Sequence, residues 1–253
     1  MGFWEMKAAL EWQIAMGADE AIAEEAIDRY AVETPAPKAK AAAVVIHQVE
    51  EVDGVAVARA AAEAASDLAG LEAAMAAFEH CDLKAGARQL VFADGQPRAR
   101  VMIVGEAPGR DEDLQGKPFV GRAGQLLDLM FQQIGLSRET PDAEAGLYIT
   151  NVLPWRPPQN RDPEAAEMAM MMPFLRRHVE LVDPEIIVAM GNHACDALLG
   201  KKGITKLRGN WSEALGKPVL PMFHPAYLLR NPAAKREAWA DLLSLKARLR
   251  GDP

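Results

Sequence analysis

The strongest constraint on this chain lies between about residues 100 and 225, where four short apolar runs alternate with amphipathic stretches. The runs are VMIVGE (101–106), LYITNV (147–152), EIIVAMG (185–191) and KPVLPMFH (217–224). Each is as short as a strand and continuously apolar, the pattern of a strand covered on both faces. Amphipathic segments lie at about 122–135, 164–182 and 192–200, with a last helix at about 233–250. Strands and helices alternating in this way build βαβ units. The fold class predicted is therefore α/β, a central parallel sheet of about four strands flanked by helices.

Sheets of this kind take ligands in the crevice beyond the carboxyl ends of their strands. Polar clusters follow three of the four runs: Gly105–Gly109, Asn151–Pro163 and His224–Pro232. The fold should bring them together.

Each cluster has chemistry of its own. GEAPGRDEDLQGKPFVGRAGQLLDLM (105–130) carries Glu106 and Glu112 in a Gly/Pro-rich loop, then Phe119 in a second glycine-studded stretch. Glycines let backbone approach a ligand closely, and a helix start offers free N–H donors. No Gly-Lys-Ser/Thr closes the loop, so it is not a P-loop. TNVLPWRPPQNRDP (150–163) puts Asn151 at a strand end, where its amide can offer a base edge both a donor and an acceptor. Arg156 and Arg161 lie in a stiff proline-rich run suited to phosphate contacts. HPAYLLRNP (224–232) follows His224 with Leu228 and Leu229, which have the character of a wedge entering a duplex. The plainer alternative is that these leucines begin the core face of the last helix.

The N-terminal part reads differently. Leu10, Ile14, Ile22, Ile27 and Tyr30 recur at helical intervals over 3–33, with a break at Gly17. TPAPKAKAAA (34–43) is a linker, and about 56–80 is Ala-rich and helical by propensity. The expected division is an acidic helical appendage and linker over 1–43, a connecting helix over 44–74, and a catalytic domain over 75–253. The formal net charge of −8 at first argues against nucleic acid. Residues 1–80, however, hold 5 basic and 15 acidic side chains, whereas 197–253 hold 11 basic and 4 acidic. The C-terminal quarter can thus face a phosphate backbone. Two cysteines, Cys81 and Cys195, are too few for a disulfide framework and read as buried thiols. No run is long enough to span a membrane, and the first residues lack a signal-peptide pattern. The chain is expected to be a cytoplasmic monomer.

Together the three clusters resemble the family-four uracil-DNA glycosylases. That family carries a GEAPG-type motif, a PFVGRAGQLL-like segment, an RPPxNR motif and an HPAYLLR-type motif, matched here over roughly residues 75–245. The resemblance implies that Asn151 reads the edge of an extruded uracil and that Phe119 stacks on its ring. It implies that Glu106 and Glu112 stabilise positive charge on the sugar and orient water, and that His224 stabilises the departing base. Gly105 and Ala107 would shape the pocket, and Tyr227, Leu228, Leu229 and Arg230 would fill the gap in the stack. The partner implied is uracil-containing DNA, single- or double-stranded.

The resemblance breaks at one point. Family-four enzymes usually hold a four-iron cluster on four cysteines, and the corresponding positions here are Cys81, Lys84, Trp155 and about Met171. One thiolate in four cannot hold a cluster. No cofactor and no metal is expected; Trp155 and Met170–Met172 should form an apolar plug instead. The KRRIH-type insertion of relatives that bond covalently to DNA is absent after Asn151, so turnover by water is expected. Three alternatives stay open: a shifted base range such as hypoxanthine or xanthine, a non-catalytic DNA-binding module, and a small-molecule nucleotide-binding protein.

Overall fold

The computed structural model describes residues 2–17 and 53–251. The predicted second N-terminal helix, the linker over 34–43 and the start of the connecting helix lie outside the described residues. The chain forms two compact units, Met1–Glu50 and Glu51–Pro253. In the first, helix α1 (Phe3–Ala15) starts where Gly2 N–H donates to the Glu5 carboxylate at 2.8 Å, and it buries none of its residues.

In the second unit the Ala-rich stretch forms two helices, α2 (Gly54–Ala64) and α3 (Leu68–Ala77), because Asp67 interrupts it. Asp67 accepts from Gly70 N–H at 2.7 Å and so caps α3. Both helices pack on α7 (Ala165–Val182). The remaining helices are α4 (Leu83–Gly86), α5 (Arg110–Gln115), α6 (Arg122–Gln132), α8 (Asn192–Leu199), α9 (Ile204–Leu207), α10 (Pro225–Arg230) and α11 (Lys235–Arg250).

The four predicted strands form as β2 (Val101–Gly105), β3 (Leu147–Asn151), β4 (Ile186–Met190) and β6 (Lys217–Met222), all parallel. Two short antiparallel strands, β1 (Asp94–Gly95) and β5 (Ser212–Ala214), add the edges, in the order β1-β3-β2-β4-β6-β5. β1 and β5 are two and three residues long, too short for a hydrophobic pattern to announce them.

Alternation sorts the sheet's side chains into two cores. Met102, Val104, Tyr148, Ile187, Ala189 and Val219 face α2, α3, α7 and α8. Val101, Ile103, Leu147, Ile149, Val188, Met190 and Leu220 face α6 and α11. The result is an α/β/α sandwich. The chain leaves β2 towards β3 but leaves β4 towards β6, so the connections diverge between β2 and β4. That divergence opens a crevice at the carboxyl ends of these strands. No helix among the described residues is long and apolar enough to cross a membrane.

Candidate active site

The crevice is a cleft of about 590 Å³, lined by residues from all three sequence clusters and from the turn after β4. Gly105 ends β2 and pairs in register with Asn151, which ends β3. Beyond both strands, Leu153 N–H donates to the Glu106 carbonyl at 3.0 Å, which fixes the backbone that carries Glu106.

Asn151 is buried, and its Oδ1 has no hydrogen-bond partner. A buried unpaired amide oxygen costs about 1–3 kcal/mol, so such an atom is generally kept for a ligand or for function. Phe119 lies against the same spot. A Cβ on Gly105 would overlap Asn151 Oδ1 and stand 2.5 Å from the Phe119 ring, so only glycine fits. Phe119 itself has φ +53°, a left-handed conformation unfavourable for a bulky residue. Its ring stacks on the His224 imidazole, with centroids 5.4 Å apart and planes 29° apart.

His224 is the N-cap of α10, and its Nδ1 accepts from Ala226 N–H at 3.2 Å. An accepting Nδ1 puts the proton of the neutral ring on Nε2. Burial, reinforced by the positive charge of Arg230, pushes the His224 pKa down to about 4, so the ring is neutral near pH 7.

Glu106 is half-buried and its pKa is raised. Burial is the chief cause; His193 opposes it and Asp162 adds to it. His193 Nε2 lies 3.8 Å from Glu106 Oε2 and 3.7 Å from Asp162 Oδ1. Among the described residues this trio could hold a divalent ion, its donor atoms lying within 4.8 Å of one another. The clusters read from sequence left out His193, although it follows Gly191 at the end of β4. The carboxyl-end rule that selected the other three turns also covers this one.

Other expected residues take different places. Glu112 lines the cleft, but its carboxylate accepts from Gly109 N–H at 3.1 Å and from Val120 and Gly121 N–H at 2.9 Å each. It staples the two glycine-rich stretches together. Ala107, Tyr227 and Arg230 line the cleft. Arg161 also does, but it is paired with Glu167 through two contacts, one of them 3.0 Å. Arg156 donates to Asn160 Oδ1 at 2.8 Å. Leu228 is fully buried against Phe223 and Ala238. This corrects the expected wedge: Leu228 is a packing residue because it faces inward on α10. Leu229 beside it is 37 % exposed.

The residues at the expected cluster positions do not fit a four-iron centre. Cys81 and Cys195 are both buried thiols, and burial raises the pKa of each. Trp155 and Met171 are packed in the same core as Cys81, and Lys84 turns away to the Ala76 carbonyl (2.8 Å) and Glu79.

Fold and cleft together define an α/β protein with a polar, aromatic-walled ligand site at the carboxyl ends of its sheet. Residues 92–243 match the uracil DNA glycosylase superfamily, and the chain belongs to it. It is 44 % identical over 154 residues to a type-4 uracil-DNA glycosylase of Thermotoga maritima, covering 60 % of this chain and 77 % of that relative. It is 38 % identical over 186 residues to one of Saccharolobus solfataricus, covering 69 % and 83 %. A third, from Archaeoglobus fulgidus, is 40 % identical over 170 residues, covering 64 % and 82 %.

Proposed function

We propose that the protein excises uracil from DNA, flipping the nucleotide into the cleft and hydrolysing its N-glycosidic bond to leave an abasic site. The observation that carries this reading is the unpartnered Asn151 Oδ1, buried beside the Phe119 ring. An amide edge next to an aromatic face suits a flat, hydrogen-bonding base. Uracil offers N3–H to Oδ1 and O4 to the amide N–H; cytosine presents the opposite pattern and is refused. A base stacked inside a duplex cannot reach the buried Asn151 amide, so it must be extruded.

The remaining groups then have separate tasks. As the C1′–N1 bond breaks, its electron pair passes to the base and positive charge develops on the sugar, an oxocarbenium-like state. Glu106, ionised, stabilises that charge and holds the attacking water. The water oxygen bonds to C1′ and releases its proton towards the carboxylate. The Nε2–H of neutral His224 donates to the uracil oxygen that takes up the negative charge. A donor of this kind contributes about 3–4 kcal/mol of barrier lowering. Glu112 acts through the loops it joins, tying Gly109 to Val120 and Gly121 beside Phe119.

The test is cleavage of end-labelled oligonucleotides that each carry one uracil, hypoxanthine, xanthine or thymine, with alkali to reveal abasic sites. Scission at uracil is the expected result. Scission only at hypoxanthine or xanthine would move the substrate class, and none at any base would overturn the reading. The same preparation should contain far less than one iron atom per chain.

A further inference from the structure

The Phe119 wall is held from behind by a residue far outside the cleft motifs. Arg138 lies in the segment between α6 and β3, and its side chain is only 8 % exposed. Its guanidinium donates from Nη1 to the Pro118 carbonyl at 2.8 Å and from Nη2 to the Phe119 carbonyl at 2.9 Å. Nε donates to Asp128 at 2.8 Å, and Nη1 reaches Asp94 at 3.2 Å. Two carboxylates therefore fix the guanidinium while its outer nitrogens clasp two successive carbonyls of the turn.

That turn needs holding. Phe119 at φ +53° stores about 1–3 kcal/mol, and a strained residue of this kind persists only where its surroundings over-determine it. Gly124 in the first turn of α6 gives the Phe119 backbone room, since a Cβ there would stand 2.8 Å from the Phe119 Cα. Gly105 gives the ring room on the other side. The glycines permit the conformation, but neither supplies attraction. Glu112 holds the N–H groups that follow, at Val120 and Gly121, whereas the carbonyls of Pro118 and Phe119 themselves are held by Arg138.

We propose that Arg138 is a positioning residue of the base pocket, setting the plane of the Phe119 ring by holding the Pro118 and Phe119 carbonyls. This rests on the reading of Phe119 as the wall on which the flipped base stacks. Lysine cannot replace it: the turn and its two carboxylates need four directed bonds, which a planar fork makes and a point charge does not. A pocket wall displaced by about 1 Å costs on the order of 10²-fold in rate.

The experiment is a double-mutant cycle on uracil release, using Arg138→Met, Phe119→Ala and the double variant, with rates expressed per folded molecule. Phe119→Ala and Arg138→Met should each lower kcat by on the order of 10²-fold. KM for DNA should stay within about twofold, because neither side chain is assigned a contact to the DNA backbone. In the Phe119→Ala background, Arg138→Met should have no further effect, since it acts only through that ring. Arg138→Lys, which retains charge and length, should fold and still show the loss in kcat; it serves if the methionine variant does not fold. Full additivity of the two losses, or wild-type kcat in Arg138→Lys, would overturn the proposal. Wild-type kcat in Phe119→Ala would instead remove the stacking role of Phe119, and with it the role given to Arg138.

Discussion

Gly105 and Asn151 sit opposite each other at the carboxyl ends of β2 and β3, and the Asn151 amide oxygen occupies the space a side chain on Gly105 would need. The strand register thus places the Asn151 amide in the cleft, and the missing Cβ admits it. Ordinary packing would not leave that oxygen buried and unpaired.

Asn151→Leu keeps the volume and removes the unpaired acceptor. Its thermal midpoint should rise, by the equivalent of about 1–3 kcal/mol, while uracil release falls below detection. Calorimetry of the free protein checks this; a lowered midpoint would show that Asn151 is not an unsatisfied group.

Glu106 has a pKa raised chiefly by burial, so its protonation sets in above the usual carboxylate range. The proposed mechanism uses the ionised form, so activity should fall as pH falls through that raised value. Glu106→Gln should lower single-turnover rates by about 10²–10³-fold and flatten this acid limb. A variant that keeps the wild-type limb would assign it to another group.

His178, hydrogen-bonded to Tyr148 Oη at 2.6 Å in the core, has its pKa pushed down to about 3 by burial. Its folded pKa lies below the unfolded value near 6.5, so the unfolded chain binds more protons between these values. The stability it contributes is complete above about pH 6.5 and drains away as pH falls towards 3, at about 1.4 kcal/mol per unit. Urea midpoints should therefore drop between pH 7 and pH 5, and His178→Gln should make that slope shallower. Equal slopes in the two proteins would count against it.

Leu228 and Leu229 are neighbours with opposite fates. Leu228→Ala should cost about 2–5 kcal/mol, as buried leucine truncations do. Leu229→Ala should leave stability nearly unchanged and reduce activity on duplex DNA more than on single strands. Denaturation curves and paired assays separate the two, and the reverse pattern would return the wedge to Leu228.

The parallel strands and their helices were legible because burial on both faces leaves a continuous apolar run, as at Val101–Gly105 and Ile186–Met190. The edge strands were not, since two- and three-residue pairings are made by neighbours and carry no pattern. In the site, strand-end position singled out Glu106, Asn151 and His224, and all three line one cleft. The bonds of Glu112 were not legible: a carboxylate in a glycine-rich loop looks free until the N–H groups facing it are known. Leu228 failed for a related reason, because one turn of helix decides which of two adjacent leucines points inward. His193 shows a rule applied incompletely, and Arg138 left no signal, since the groups it holds at Phe119 are main-chain carbonyls and its two carboxylates are distant in sequence.

The order of the sheet has a consequence for the chain during synthesis. Glu106 and Asn151 emerge early, but His224 follows β6, the last strand added to the parallel set. A ribosome-bound or prematurely ended chain that stops before residue 224 carries Asn151 without His224, which in the proposed mechanism is the base reader without the donor to the leaving base. On that mechanism the cleft is complete only when almost the whole polypeptide has been made.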